Sequence, residues 1–427
     1  MGLRVFLWYK GGTMLDIKFI RENLELCKTA AVNKNRVVDW DTLLSLDEKR
    51  RELIGIAEVL RKERNEVSKV RSDESAARGK AIKDELKSID DALRGTEEAF
   101  ALAMLTVPNV PDPSVPVGKD ESENVEIKKW GTPTEFAFPP KDHIDLAKSL
   151  DLIDFERGAK VGGSRAYFLK NEAAQLEMAL MFYSLQKLVA KGYTPLIAPS
   201  LVKEFTFVGN GQFPWGKEEV YTLPKDEVYL AGTAEVPVTA YYSDEVLLEK
   251  DLPKKFVAFS SCYRREAGSY GKDTRGAYRV HQFNKIEQVI IAPAETNNSF
   301  TLHEELLANS EEILQDLKLP YRVLLMCTGD MGEPQVKKYD IETWMPGRNA
   351  YGETMSNSFM GDFQARRLKI RYKAKDGSMK FCHTLNNTAV ASPRLLVAIM
   401  ENYQQADGSI QIPEVLQPLM GKKVISR

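Results

Sequence analysis

Two heptad seams govern the first quarter of the chain. Leu46, Leu53, Leu60 and Val67 recur every seven residues, with Ile56 and Val70 beside them. After a polar break, Leu86, Leu93, Phe100 and Val107 recur at the same interval, with Ile82 and Ile89 on the same stripe. No proline falls inside either run, and the intervening positions are densely charged. A seven-residue apolar repeat buries itself along a partner helix, so the seams predict two long helices packed on each other. The break Ser72-Asp73-Glu74-Ser75 offers an N-cap for the second helix and a place to reverse direction. One antiparallel hairpin is expected, with arms of about 27 residues reaching roughly 40 Å at 1.5 Å per residue.

Charge is uneven along that hairpin. Between residues 61 and 87 stand nine basic side chains, Arg61, Lys62, Arg64, Lys69, Arg71, Arg78, Lys80, Lys83 and Lys87, against six acidic ones. The 427-residue chain as a whole has a formal charge of −2, so any basic surface is local. The tip is either a solvated helix surface or a contact for a phosphate backbone.

Four prolines between 108 and 116 stop the helix and predict a linker over 108–118. It separates an N-terminal arm, 14–107, from a larger domain, 119–427. Residues 1–13 read as an upstream extension or a misplaced start. Their apolar core, Val5 to Tyr9, is short for a signal peptide, and a cleaner pattern begins at Met14. No stretch approaches a membrane span. Past the linker, short apolar runs such as Val257-Ala258-Phe259 and Gln288-Val289-Ile290-Ile291 alternate with helical stretches. That texture predicts an α+β domain with a mainly antiparallel sheet.

Several chemistries drop out early. Cys27, Cys262, Cys327 and Cys382 lie far apart with no C-x-x-C pair, which favours a reducing cytoplasm over a disulfide framework or a zinc site. His143, His281, His303 and His383 show no metal-binding spacing and read as surface or hydrogen-bonded structural residues. Gly211-Gln-Phe-Pro-Trp-Gly-Lys217-Glu218 approaches a phosphate-binding loop, but Glu218 replaces the required hydroxyl and Pro214 and Trp215 obstruct the backbone.

One segment stays rich in possibilities. Lys255 to Arg265 alternates like a strand, glycines follow, and Arg279 to Ile291 resumes a strand. By parity, Arg279, His281, Phe283, Lys285 and Glu287 share a face. Such a face offers a guanidinium for phosphate, a ring for a base and a carboxylate for an ammonium, or it is an exposed salt-bridged hairpin. Elsewhere, Thr233-Ala234-Glu235 reads as a small-residue strand end with a hydroxyl and a carboxylate. Glu353 precedes Ser356, a pairing able to hold magnesium, and Arg394 opens an apolar helix where it can meet a terminal phosphate.

With these pieces assembled, the chain from Met14 onward resembles the bacterial-type seryl-tRNA synthetases, class II aminoacyl-tRNA synthetases. The resemblance rests on Thr233-Ala234-Glu235, the run Tyr263 to Ser269 continuing through Asp273-Thr274-Arg275-Gly276, His281-Gln282-Phe283 to Glu287, Cys327 to Gly332, Tyr339 to Glu342 and Asp362 to Arg367. It implies a class II antiparallel sheet with flanking helices and an N-terminal coiled-coil arm that grips tRNA. It further implies ATP and Mg2+, L-serine, tRNA(Ser) with tRNA(Sec) as a further acceptor, a homodimer joined near Pro199, and a cytoplasmic, membrane-free enzyme.

Carried over residue by residue, Arg264 is expected at the α-phosphate, Glu266 at the adenine end and Phe283 stacked on adenine. Arg279 and Arg394 are expected on the pyrophosphate portion. Glu353 and Ser356 are expected on magnesium, with Thr354 and Met355 in the same nucleotide-binding stretch. Thr233, Ala234 and Glu235 would frame serine, Glu287 would fix its ammonium, and Thr388 with Asn386 would meet its hydroxyl. Arg265 is either a nucleotide contact or a loop brace, as is Arg275. Lys272 is expected at the tRNA acceptor end, and Arg61, Lys62, Arg64, Lys69, Arg71, Arg78 and Lys80 along the tRNA arm.

The chain departs from the family pattern at Met355 and Phe359, where serine and asparagine are usual, at Asn387, Thr388 and Ala389, where Gly-Ser-Gly is usual, and at Pro393. The adenine side or the sheet beneath it is expected to be repacked. Two other classes compete: a relative that charges a carrier protein, which would not need the basic hairpin, and a non-catalytic RNA-binding protein, which would not need Arg264, Glu287, Glu353 and Arg394.

Overall fold

The computed structural model describes residues 15–267 and 275–427. The expectations for residues 1–13 and for Lys272 lie outside the described residues. The chain divides into two compact units, Met1–Pro108 and Asn109–Arg427.

The first unit contains α1 (Ile17–Glu22), α2 (Leu24–Asn33), α3 (Trp40–Val67) and α4 (Asp73–Leu105). The last two form the antiparallel hairpin that the heptads predict. Ser72 caps α4 by accepting from Ser75 N at 3.1 Å, and Asp39 caps α3 by accepting from Thr42 N at 3.0 Å. Ala57, Leu60, Ile82 and Leu86 form the seam, with Val67 and Ile89 half-buried beside them. Ile56 and Val70, expected beside the heptad residues, are exposed. The seam steps from Leu53 by four residues to Ala57 and by three to Leu60, so Ile56 is rotated one position out of it. Asp47 is fully buried at the base of α3, where Arg21, Arg50 and Arg51 all donate to it. A buried carboxylate without such partners would be costly.

The second unit is built on eight strands: β1 (Val125–Trp130), β2 (Thr194–Ile197), β3 (Lys254–Tyr263), β4 (Gln282–Ala292), β5 (Tyr321–Leu325), β6 (Lys337–Met345), β7 (Ala350–Gly361) and β8 (His383–Ala391). Their order across the sheet is β1-β5-β6-β7-β8-β4-β3-β2. All neighbours are antiparallel except β2 with β3. The helices that matter for the site are α5 (His143–Ser149), α6 (Asn171–Ala190), α7 (Glu235–Thr239), α8 (Thr296–Asp316), α9 (Phe363–Leu368) and α10 (Arg394–Asn402). Residues 109–118 run along this unit: Asn109 Nδ2 donates to Pro334 O and Met360 O, and Asp112 N donates to Val336 O.

Each central strand divides its polar residues between two faces. Gln288, Asn357 and Asn387, on β4, β7 and β8, send their amides to α8, reaching Leu306 O, His303 O and Leu306 O respectively. Asn387, at a position where the family has glycine, thus has a structural use. Their sequence neighbours Glu287, Ser356 and Thr388 point to the opposite face, as a period of two requires. Phe359 is buried on the helix-covered side against Phe300 and His383, so that departure repacks the core beneath the sheet.

Candidate active site

The open face of the sheet carries a cleft of about 550 Å³, bordered by β4, β7, the end of β8 and the start of α10. A second hollow of about 1200 Å³ adjoins it and shares Arg264, Glu266, Arg279, Glu353 and Arg394. β4 begins at Gln282, three residues later than the sequence suggests. Phe283, Lys285 and Glu287 therefore alternate on one face, but Arg279 reaches the cleft from the preceding segment. His281 instead turns its Nδ1 to Arg264 O, 2.9 Å away.

Three arginines set the field at one end. Arg264 lies with its guanidinium 5.3 Å from the Phe283 ring centroid and donates from Nε to Gly232 O at 3.2 Å. Arg279 Nη1 is 3.2 Å from Glu266 Oε2, with Glu266 at a φ of +54°. Arg394 Nη1 donates to both Glu353 O and Glu353 Oε2, at 3.0 and 3.1 Å. Loss of water would raise the Glu353 carboxyl, but Arg394, Lys338 and Arg264 outweigh it and hold the group below the usual carboxylate range. Phe283 is nearly buried and packs on Cys262 and Val280. That packing fixes one ring as a wall of the cleft.

Glu353 and Ser356 line the same cleft although they are three residues apart, a spacing that should put them on opposite faces of a regular strand. The pairing of β6 with β7 shifts by one residue here: Glu342 opposes Glu353, while Ile341 opposes Met355. Thr354 is the extra residue of a β-bulge, and the bulge restores the two groups to one side. Thr354 spends its hydroxyl on Ile341 O and Thr343 Oγ1. Met355 is buried in the main core while still reaching the cleft.

The other end is small and polar. Lys285 Nζ lies 2.6 Å from Thr233 Oγ1, 2.5 Å from Glu287 Oε2 and 3.5 Å from Thr388 Oγ1. Thr388 in turn donates to Glu287 Oε2 at 3.2 Å. A register shift between β4 and β8 sets Thr388 directly opposite Glu287. Glu235 opens α7 rather than ending a strand, because β-structure stops at Leu230. Asn210 Nδ2 and Gln364 Nε2 donate to Glu235 Oε1, at 3.0 and 2.9 Å. Burial, then the neighbouring Glu287 charge, pushes the Glu235 carboxyl up from its ordinary value. Ala234 is buried behind Thr233.

Not every expected residue gathers here. Arg265 is exposed and lines neither hollow; its backbone N donates to Glu219 O. Asn386 is buried on β8 two residues from Thr388 and lines neither hollow; nor do Glu287 and Ala234, although Glu287 bonds Lys285 and Thr388, which do line the cleft. Arg275 is exposed at the edge of the described residues. On the hairpin, Arg78 is clamped by Glu63 and Glu85, Arg61 meets Asp90, and Lys69 meets Glu66. Lys62, Arg64, Arg71 and Lys80 are exposed and make no ion pair among the described residues.

Conversely, three residues at the site carry no role that the sequence alone assigns. Lys285 was visible as a member of the Phe283–Glu287 face, so its signal was present but unread. Gln364 lies in the run 362–367 that carries the resemblance, yet its bond to Glu235 has no local signature. Tyr278 is clasped between Arg394 and Arg348, whose guanidinium carbons lie 4.7 and 4.5 Å from its ring centroid. Nothing in its sequence neighbourhood announces that.

Comparison with known proteins agrees along the chain. The tRNA synthetase class II core domain (G, H, P, S and T) matches residues 220–403, and the seryl-tRNA synthetase N-terminal domain matches residues 14–111. A serine–tRNA ligase of Deinococcus radiodurans is 45% identical over 422 residues, covering 96% of this chain and 99% of the relative. The crystal structure of seryl-tRNA synthetase from Pyrococcus horikoshii complexed with ATP superposes with a TM-score of 0.91 at 39% identity, covering 96% of this chain and 99% of that one. The cytoplasmic serine–tRNA ligase of Naegleria fowleri in complex with AMP superposes at 0.87 with 33% identity, over 97% and 99% of the two chains.

Proposed function

The chain belongs to the seryl-tRNA synthetase family of class II aminoacyl-tRNA synthetases, and from that membership we propose that its cleft joins L-serine to ATP and passes the seryl group to tRNA(Ser). The observation that carries this reading is that two chemistries meet at the adjoining hollows, with the Glu287 carboxylate buried behind Lys285 and Thr388. Arg264, Arg279 and Arg394 with the Phe283 ring suit a nucleotide triphosphate, and the Thr233, Lys285, Glu287 and Thr388 cluster suits a small zwitterion bearing a hydroxyl.

In the first step a serine carboxylate oxygen attacks the α-phosphorus. The new O–P bond forms as the α–β bridging P–O bond breaks, and pyrophosphate leaves with the electron pair. Arg264 is aimed to neutralise charge on the α-phosphate, and Arg279 and Arg394 to neutralise it on the departing pyrophosphate. Positioning and preorganised charge suffice for this chemistry, so no side-chain nucleophile is needed. In the second step a terminal tRNA hydroxyl attacks the seryl carbonyl carbon, AMP leaves and the hydroxyl proton is lost. Glu287 would hold the serine ammonium, and Thr388 its hydroxyl. A site that pairs with a hydroxyl is left unsatisfied by alanine, which can discriminate by about 10⁴-fold.

Glu353 and Ser356 fit a magnesium ion: two hard oxygen donors on one face, the carboxylate held ionised by three cations. When bound with the triphosphate, Mg2+ would add charge neutralisation at its oxygens. The exposed cations Lys62, Arg64, Arg71 and Lys80 suit the tRNA backbone, and a tRNA(Sec) bearing the same long arm would be a second acceptor. A homodimer is supported by exposed apolar side chains near Pro199, among them Ile197 and Leu201, with Met178 and Phe182 on α6. The proposed setting is the cytoplasm; no helix among the described residues is long and apolar enough to cross a membrane.

The test is ATP–pyrophosphate exchange with each amino acid in turn, followed by charging of purified tRNA. Exchange is expected with serine and to fall by orders of magnitude in Arg264→Ala. Exchange with another amino acid but not serine would overturn the reading. An unchanged Arg264→Ala would remove the proposed role of that arginine.

A further inference from the structure

His143 takes no part in the chemistry above, yet a buried network runs from it into the cleft. It opens α5, far from the cleft in sequence. Ala277 N donates to its Nε2 at 3.1 Å, and its Nδ1 lies 2.9 Å from Glu401 Oε1. A backbone N–H can only donate, so Nε2 is the bare nitrogen, and the ring's single proton sits on Nδ1 and points to Glu401. The same Glu401 oxygen accepts from His143 N at 3.0 Å, and its partner oxygen accepts from Gly347 N at 2.9 Å. Glu401 is fully buried, and its carboxylate holds the His143 and Gly347 segments in place.

The chain passes tightly over the imidazole. Gly276 has a φ of +74°, and a Cβ there would lie 2.1 Å from His143 Nε2. Only glycine accommodates both the backbone angle and the contact. Two residues on, Tyr278 meets Arg394 through its ring and through its carbonyl, which accepts from Arg394 Nε at 3.3 Å. The Tyr278 hydroxyl lies 3.3 Å from Glu353 O. Arg279 follows directly and lines the cleft. Glu401 and Arg394 lie on the same helix, α10, seven residues apart and so on one face. The helix thus grips the 276–279 segment twice, directly through Arg394 and indirectly through Glu401 and His143.

We propose that His143 is a positioning residue for the nucleotide half of the reaction. By accepting from Ala277 N it ties the 276–279 segment to Glu401, and so sets Tyr278 and Arg279 in register with Arg394. This rests on the reading that Arg279 and Arg394 hold the ATP phosphates. His143 itself touches neither ATP nor serine.

The experiment is serine-dependent ATP–pyrophosphate exchange on the full chain, with KM measured separately for ATP and serine. His143→Phe keeps a flat aromatic ring, somewhat larger than imidazole, and removes both ring hydrogen bonds. It should raise the ATP KM about tenfold or more, since small misplacements of positioning groups carry large kinetic costs. The serine KM should stay within about twofold. His143→Gln, which keeps an acceptor for Ala277 N, should recover most of the loss. Gly276→Ala pushes against the same hydrogen bond from the other side and should show the same ATP-selective signature; it serves also if His143→Phe does not fold. An unchanged ATP KM in His143→Phe and Gly276→Ala would overturn the proposal, as would equal rises for ATP and serine or no rescue by glutamine. Arg394→Ala separates the premise: if it too leaves the ATP KM unchanged, the nucleotide reading has failed and not merely the role of His143.

Discussion

Lys285→Met is expected to be the most informative single change in the buried cluster of Thr233, Lys285, Glu287 and Thr388. The Lys285 ammonium is almost fully buried and bonds Glu287 at 2.5 Å and Thr233 at 2.6 Å. Glu287 is 1% exposed, and Glu235 nearby is also deprived of water. Removing the cation strands one carboxylate beside another, with little solvent to screen them. Truncating one partner of a buried ion pair costs about 3–5 kcal/mol, most of it the penalty on the charge left behind. The double variant Lys285→Met, Glu287→Gln removes that stranded charge. It should therefore be more stable than Lys285→Met alone, with a coupling of about 1–3 kcal/mol. Urea unfolding followed by tryptophan fluorescence, with Trp8 and Trp40 of the smaller unit replaced by phenylalanine, reports on the larger unit, where Trp130, Trp215 and Trp344 lie. Serine adds a second readout. At one fixed serine concentration, about 100 times the wild-type Kd, the wild type gains about 2.7 kcal/mol. If the serine ammonium takes the place of the lost lysine, the gain should be larger in Lys285→Met than in the wild type. Additive single and double variants would refute the stranded-charge reasoning. An equal serine gain in the two proteins would refute the replacement of one ammonium by the other.

Other consequences follow from particular groups. Burial pushes the His303 pKa down to about 3 from 6.5. The unfolded chain takes up this proton first, so the stability it protects is present above pH 6.5 and lost as pH falls towards 3. Between pH 7 and 5 the loss should be about 2 kcal/mol, and His303→Gln should abolish that part of the slope in urea melts. Glu353→Gln should lower serine-dependent exchange by at least about tenfold and weaken its response to added magnesium; an unaltered magnesium titration would count against the metal assignment. Replacing Lys62, Arg64, Arg71 and Lys80 by alanine should flatten the salt dependence of tRNA binding by about three units of log–log slope, measured by filter binding, while an unchanged slope would put the contact elsewhere.

Whatever depends on local periodicity and local chemistry was legible in the order of the residues. The heptads specify the hairpin because a seven-residue repeat has few other ways to bury itself, and Ser72 caps the second helix as its position suggests. Alternation from Phe283 to Glu287 holds because a regular strand enforces it. The family was legible because many short motifs agree in order along the chain. Where the helix phase drifts, the local reading slips, as at Ile56.

How distant pieces meet is visible only once the chain is packed. Two register shifts, at Thr354 and beside Thr388, bring Glu353 to Ser356 and Thr388 to Glu287. A bulge is set by the partner strand, which the local sequence does not name. Gln364 finds Glu235 across 129 residues, and Ala277 finds His143 across 134. Such contacts arise because buried polar groups must be satisfied by whatever the packed core places within reach. That requirement acts in three dimensions, and it is why a histidine that reads as merely structural in sequence is tied to the segment that carries Arg279 into the cleft.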